Sequence, residues 1–282
     1  FKQTRILDGG MGQELLARGM KPNGTLWSAN ALLQDKYHQL LLDTHLDFIK
    51  AGAEVIVTTT FTTRKTRLRD NNVEDKFEYL NNKAGEIAQK AKKLYPNTLI
   101  AGGLPPQYLT YEADTRSENE IRDDFYHQAK ILNPYVDFFY FDVLSSVREF
   151  KIAIECIKEF DKPYLIGAHI SEGTKLPSNE SISEIITKIK HDKLLGIILS
   201  CISPENYDLN LKEIKNLNIP FGFKLNGFIK TNSKPNYTGA YKKSKTGNPN
   251  EFLGQRKDLT PDKMSEFAKK FHDAGATILG GC

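Results

Sequence analysis

The stretch ATILGGC, residues 276–282, decides the fold, because a short apolar run ends there in two glycines and a cysteine. A continuous run of this kind is typical of a strand that is buried on both faces, as in a parallel sheet. Runs of the same type occur eight times along the chain, as TRILDGG, EVIVTTTF, TLIAGGL, VDFFYFDV, PYLIGAH, LGIILSC, PFGFKLNG and ATILGGC. The sequence therefore predicts eight strands.

Amphipathic helices are predicted between these runs. Apolar residues recur at helical spacing from Phe77 to Leu94, from Ile182 to Ile189 and from Met264 to Phe271, with Pro261 suited to the first turn of the last helix. Eight strands that alternate with helices predict an α/β fold, a single (β/α)8 TIM barrel. An open doubly wound sheet is the alternative, although no GxGxxG follows the first strand.

The composition is that of an ordinary globular protein, with 282 residues, 39% hydrophobic and 26% charged. The net charge of +4 is spread along the chain and indicates a solvated surface, so we expect no nucleic-acid partner. No run of about 18 apolar residues predicts a membrane span, and no signal peptide is visible. An odd number of cysteines, three, argues against a disulfide framework and favours a reducing, cytoplasmic location.

One long polar stretch interrupts the regular alternation. It runs over residues 230–259, after the seventh predicted strand, and it is longer than an ordinary strand-to-helix connection. We expect it to be a functional loop or a mobile insertion.

In a (β/α)8 barrel, the active site forms at the carboxyl ends of the strands. The chemically capable residues that close the predicted strands are Asp8, Asp142, His169, Cys201, Lys224, Asn226 and Cys282. Taken singly, each has an ordinary explanation, such as a turn residue for Asp8 or a hydrogen-bonded rim histidine for His169. Cys156 differs from the other cysteines because it lies in a helical pattern, where we expect a small buried apolar residue. Only a barrel brings Cys201 and Cys282 close together.

Several motifs, in order along the whole chain, resemble those of one family. They are LDGGMGQEL at 7–15, LWSANAL at 26–32, VTTTF at 57–61, AGGLPP at 101–106, DVLSSVREF at 142–150, SCISPE at 200–205 and LGGC at 279–282. This series resembles the homocysteine S-methyltransferases, which are zinc-dependent thiol methyltransferases. The resemblance implies one homocysteine-binding-type barrel domain over residues 1–282.

The resemblance implies a zinc site at Cys201 and Cys282. In the family, the two cysteines of a GGCC motif and the one of a GxNC motif hold Zn²⁺, so a third ligand would follow Cys282. We therefore expect that the sequence, which begins with Phe1, stops inside the motif. The implied reaction transfers a methyl group from a sulfonium or ammonium donor to the thiol of homocysteine and gives methionine. The implied partners are these small molecules.

Further residues receive roles from the resemblance. Asp8 and Asp142 match acidic residues that hold the amino group of homocysteine. Trp27 matches a tryptophan that could lie against the cationic methyl group of the donor, although it could equally be a packing residue. Thr60, in VTTTF, and Asn226, in the seventh strand, are the remaining expected substrate-binding residues.

The chain also departs from the family pattern around the pocket. Asp142 replaces a glutamate, Val143 a threonine and Ser200 an asparagine, while Lys224 and Leu225 replace a tyrosine and a proline. Two alternatives therefore stay open. The chain could be a non-catalytic or substrate-shifted relative of the family, or a lyase that forms a Schiff base on Lys224.

Overall fold

The computed structural model describes residues 1–189, 192–230 and 246–282. Eight strands alternate with helices along these residues, and every pair of neighbouring strands is parallel. The strands are β1 (Arg5–Ile6), β2 (Val55–Val57), β3 (Leu99–Leu104), β4 (Phe138–Leu144), β5 (Tyr164–Ala168), β6 (Leu194–Ile202), β7 (Phe221–Leu225) and β8 (Ile278–Gly281).

The eight strands close into a barrel. They follow the order β1-β8-β7-β6-β5-β4-β3-β2, so the first strand pairs with the last. A parallel bridge between Leu7 and Val55 joins the two remaining edges, and the backbone amide of Glu54 donates to the carbonyl of Ile6 at 2.8 Å. The predicted (β/α)8 barrel is thus confirmed, and the open-sheet alternative is wrong because both edge strands have found a partner.

Helices surround the barrel. They are α1 (Met11–Ala17), α2 (Asn30–Leu33), α3 (His38–Lys50), α4 (Lys65–Arg69), α5 (Phe77–Leu94), α6 (Glu118–Leu132), α7 (Val147–Ile157), α8 (Ile182–Lys188), α9 (Pro204–Lys215) and α10 (Pro261–Asp273). The three predicted helices are confirmed as α5, α8 and α10. Pro261 starts α10, and the side chain of Thr260 caps it by accepting a hydrogen bond from the amide of Lys263. No helix in the described ranges has the length and apolar character to cross a lipid bilayer.

Side chains along each strand alternate between two faces, and each face contributes to a different apolar core. One face of the strands packs against the helices in the larger cluster of buried apolar residues. The other face fills the barrel interior, where the apolar side chains are those of Leu7, Val55, Ala101, Phe138, Tyr140, Leu165, Ile198 and Ile278. Asp142 follows Tyr140 by two residues and Ser200 follows Ile198 by two, so both belong to the inward face at its carboxyl end.

β7 and β8 approach each other unusually closely at Gly222. A Cβ atom added to Gly222 would lie only 1.7 Å from the carbonyl oxygen of Ile278. Glycine is therefore required at this position, because any other residue would press a side chain against the backbone of the neighbouring strand.

The polar stretch over residues 230–259 is described only in part, since residues 231–245 lie outside the described ranges. Its later part returns to the barrel mouth, where Phe228 and Gln255 form an antiparallel bridge. The side-chain amide of Gln13 donates to Asn248 Oδ1 at 3.0 Å, which ties this segment to α1. The described part of the stretch is therefore a wall of the mouth.

Candidate active site

A cavity opens at the carboxyl end of the barrel, where the sequence predicted the site. Its walls come from the ends of six strands and from the loops that follow them. The lining residues include Asp8, Gly12, Trp27, Phe61, Tyr111, Asp142, Val143, Cys201, Lys224, Asn250 and Cys282.

The two thiols of the predicted metal site meet in this cavity. Cys201 is buried near the end of β6, and Cys282 is an exposed residue directly after β8. The backbone amide of Cys282 donates to the carbonyl of Leu225 at 2.8 Å, which fixes the residue beside β7. The structure brings the two side chains into hydrogen-bonding contact with each other.

The hydrogen bonds at the thiols distinguish the two sulfurs. Hydrogen bonds with the Cys282 thiol and with the Tyr111 hydroxyl, whose oxygen is 2.9 Å from the Cys201 sulfur, lower the pKa of Cys201, although burial opposes the shift. The hydrogen bond that the Cys282 thiol donates to Cys201 raises the pKa of Cys282, and the enclosed position of the thiol adds to the shift although part of the residue is exposed. The Cys201 sulfur is therefore the more acidic of the two and the better suited to carry negative charge.

Irregular backbone directs the side chains of two strands into the mouth. Register shifts occur in β4 between Phe141 and Leu144 and in β6 between Ser200 and Ile202. Within them, Val143 has φ 66° and Cys201 has φ 59°, in the left-handed region that residues other than glycine rarely adopt. Such bulges re-aim side chains next to active sites. Strained backbone of this kind clusters where function requires it.

Two carboxylates stand beside the thiols. Asp8 Oδ2 accepts a hydrogen bond from the amide of Val57 at 2.8 Å, whereas its buried Oδ1 has no partner among the described residues. Burial raises the pKa of Asp8 to about 6, although the nearby charge of Lys224 opposes the shift. Asp142 Oδ1 accepts from the hydroxyl of Tyr140 at 2.6 Å. The cavity therefore holds a buried carboxylate oxygen that receives no hydrogen bond from the described residues, and a cationic group of a ligand could donate one to it.

Lys224 projects into the same space from β7. Its Nζ is 4.0 Å from Asp142 Oδ2 and 5.4 Å from the centre of the Tyr140 ring. Burial disfavours the charge on Lys224, but Asp142, Asp8 and the two cysteines outweigh it and raise the pKa to about 12. A Schiff base needs a neutral amine, so these surroundings disfavour the lyase alternative.

An aromatic wall faces Cys201. Trp27 packs edge-on against Phe61, with 6.3 Å between the ring centroids, and both rings line the cavity with Tyr111. The indole lies directly over Gly12, where an added Cβ would fall 2.1 Å from the ring. Glycine in α1 thus makes room for Trp27, whose buried Nε1 has no hydrogen-bond partner in the described ranges.

Two predicted substrate-binding residues do not line the cavity. Thr60 is buried and its hydroxyl donates to the carbonyl of Gly103 at 2.6 Å, so it ties the end of β2 to β3. Asn226 Oδ1 accepts from the amide of Phe228, while its Nδ2 is 3.9 Å from the sulfur of Cys201. Thr60 therefore holds the rim together, and Asn226 stands behind the thiol.

The remaining sequence-derived residues have supporting positions. His169 is buried, its Nε2 is hydrogen-bonded to the hydroxyl of Ser171, and its ring lies 4.3 Å from that of Tyr111. Cys156 is buried on α7 with the apolar core, as its helical pattern predicts.

Two supporting residues were missed by sequence reasoning. Tyr111 lies in an irregular loop with no motif that marks it. Tyr140 could have been found, because it precedes Asp142 by two residues and therefore shares its inward face. Its hydroxyl donates to Asp142, and Ser200 Oγ lies 2.6 Å from the same hydroxyl oxygen. Ser200 of β6 thus helps to position the Asp142 carboxylate through two hydrogen bonds in series.

The donor set suits a thiophilic metal. Cysteine sulfurs are preferred ligands of zinc, and the two here come from strand ends rather than from one flexible segment. Among the residues that the structure describes, no third histidine, cysteine, aspartate or glutamate joins them in a metal-binding group. The described residues therefore fit zinc as two of its ligands.

Comparison with known proteins identifies the family of the chain. A family model described as homocysteine S-methyltransferase matches residues 5–282. The chain is similar to the homocysteine S-methyltransferase of Escherichia coli K12, with 25% identity over 98% of this chain and 90% of the relative. It is also similar to the selenocysteine methyltransferase of Astragalus bisulcatus, with 24% identity over 99% of this chain and 88% of the relative. The metallated crystal structure of the homocysteine methyltransferase MmuM from Escherichia coli shares the fold, with a TM-score of 0.77 at 19% identity over 99% of this chain and 91% of that one. The protein is therefore a methyltransferase that belongs to the homocysteine S-methyltransferase family.

Proposed function

We propose that this protein transfers a methyl group to the thiol of homocysteine and forms methionine, with zinc held by Cys201 and Cys282. The observation that carries the proposal is the hydrogen-bonded thiol pair in one cavity with two carboxylates. In the GGCC motif that LGGC resembles, a second cysteine follows the first, and that residue would supply the third thiolate. Three free thiols also support a reducing, cytoplasmic location. We take residues 1–282 to form one domain.

Zinc, when bound, would lower the pKa of the acceptor thiol so that it reacts as a thiolate near neutral pH. The residues of the chain would place that sulfur. Tyr111 donates to Cys201 and holds its sulfur at the mouth, and the strained backbone of β6 fixes its direction. These contacts limit the motion of the ligand sulfurs before the substrate arrives, which lowers the entropic cost of alignment.

The carboxylates would bind the acceptor's ammonium group. Asp8 Oδ1 lacks a partner among the described residues, and Asp142 is held in place by Tyr140. An ammonium between the two carboxylates would donate a hydrogen bond to Asp8 Oδ1. It would also neutralise a negative charge whose burial is otherwise costly.

The donor would be a sulfonium or an ammonium compound. In the transfer, the acceptor sulfur forms a bond to the methyl carbon, and the donor leaves with the electron pair of the broken bond as a neutral sulfide or amine. Trp27 and Phe61 line the cavity and offer ring faces that attract the cationic methyl group. An aromatic surface also excludes water from the path between the two reactants.

The test is methyl transfer by the full-length protein, with metal content measured in parallel. Homocysteine is supplied with S-methylmethionine, S-adenosylmethionine or betaine, and methionine is measured by mass spectrometry. We expect one zinc per chain and methionine from at least one donor. Full zinc content with no methionine from any donor would contradict the proposed reaction.

Replacing Asp142 by asparagine is expected to raise the KM for homocysteine by roughly 10-fold or more, because a hydrogen bond to a charged group contributes about 1.5–3 kcal/mol. Zinc content should stay at the wild-type level, since Asp142 is not an expected ligand. Steady-state kinetics and metal analysis check the two parts separately. The matched control is Asp75→Asn at an exposed carboxylate outside the cavity, which should change neither quantity.

A further inference from the structure

Lys224 is a buried residue whose side chain lines the cavity. Its Nζ reaches Asp142 Oδ2 only at 4.0 Å, beyond hydrogen-bonding distance, and its other close neighbour is the face of the Tyr140 ring. Within the described ranges, no acceptor forms a hydrogen bond with this ammonium group. Buried charged donors without acceptors are costly, so an acceptor supplied by a ligand would relieve the cost.

The position of Lys224 is built into the barrel. Its Cα is in register with Ser200 on β6 and with Gly280 on β8. A Cβ on Gly280 would lie 3.0 Å from Cγ of Lys224, so the stem of the lysine occupies space that a larger residue on β8 would contest. The side chain lines the cavity that holds Asp8, Asp142 and both thiols. Lys224 is therefore part of the cavity in which we propose that the methyl acceptor binds.

The charge of Lys224 changes what the two carboxylates can bind. With Asp8 and Asp142 alone, the pocket would favour an ammonium strongly. Lys224 offsets one of the two negative charges, and it repels an incoming ammonium while it attracts an anion. The neighbouring ring of Tyr140 and the burial of the site strengthen both effects, because water screens them less.

We infer that Lys224 binds the carboxylate of the acceptor, so that the enzyme accepts thiols with a carboxylate as the principal recognised group and the ammonium as a lesser one. This inference rests on the proposed function for the identity of the reacting thiol. It adds that mercapto acids without an ammonium group, such as 4-mercaptobutanoate, are acceptors of this enzyme.

Binding of thioether products tests the inference without requiring metal or catalysis. Calorimetry is done on the full-length protein with methionine, with 4-(methylthio)butanoate, which lacks the ammonium, and with 3-(methylthio)propylamine, which lacks the carboxylate. We expect loss of the carboxylate to weaken binding roughly 10- to 100-fold, as for a charged hydrogen bond, and loss of the ammonium to weaken it less. In Lys224→Met, the penalty for the missing carboxylate should fall to less than about 3-fold.

Two further variants separate recognition from structure. Lys224→Arg keeps the charge and should restore most of the preference for carboxylates, and Lys257→Met, at an exposed lysine, should behave as wild type. If the amine binds wild type as tightly as the acid does, the inference is overturned, even if the Lys224→Met variant does not fold. If carboxylate preference depends on Lys224 but no thiol is methylated, the carboxylate-binding role of Lys224 stands, whereas the proposed function and the acceptance of mercapto acids both fail.

Discussion

Replacing Cys201 by serine is expected to abolish zinc binding and methyl transfer together. Even residues that only orient metal ligands cost roughly 10- to 100-fold in metal affinity when they are changed, so loss of a proposed ligand should cost at least about 100-fold. A hydroxyl is also a harder donor than a thiolate and holds zinc less well. Metal analysis after dialysis and the rate of methionine formation measure the two losses.

The matched control is Cys156→Ser. Cys156 is also a buried cysteine, but it packs on α7 with the apolar core and lies outside the cavity. We expect it to keep full zinc content and activity, with only a small loss of stability. A Cys201→Ser protein with wild-type zinc content and activity would refute the metal site, and an equal loss in both variants would point to unfolding instead.

Replacing Gly222 by alanine is expected to lower the free energy of unfolding by at least about 3 kcal/mol, at the upper end of the cost of overpacking. The added Cβ would lie 1.7 Å from the carbonyl oxygen of Ile278, and a backbone atom cannot move aside by rotating a side chain. β7 and β8 would have to separate, which also moves Cys282 away from Cys201. Urea unfolding measures the change in stability.

The control for this substitution is Gly227→Ala, two residues beyond β7. Its added Cβ would meet only the side chain of Leu259, at an ordinary distance of 3.7 Å. We expect a change in unfolding free energy of less than about 1 kcal/mol. A Gly222→Ala protein as stable as this control would show that the two strands are farther apart than described.

The barrel could be predicted because each of its strands and helices has a recognisable local sequence pattern. Each strand is a continuous apolar run and each intervening helix has an apolar stripe, so the alternation alone predicts eight parallel strands. The mouth follows from the same pattern, since parallel strands end at one rim. For this reason Asp8, Asp142, Cys201, Lys224 and Cys282 could be expected in one cavity before any contact was known.

The contacts within the mouth depend on features that the pattern does not contain. The bulges at Val143 and Cys201 break the alternation of side chains, and Tyr111 reaches Cys201 from an irregular loop. Thr60 shows that a motif at a strand end need not place every side chain in the cavity. It belongs to a motif at a strand end, yet the turn after β2 directs its hydroxyl to the backbone of Gly103 and away from the cavity.

The pairing of β1 with β8 links the site to the order in which the chain is synthesised. β8 is made after the other seven strands, so a nascent chain that lacks it has Cys201 without Cys282 and leaves β1 and β7 with free edges. Strands far apart in sequence pair slowly, and exposed edges invite association with other chains. A mouth with both thiols therefore exists only in a chain whose barrel has closed, which makes the thiol pair a chemical marker of completed folding.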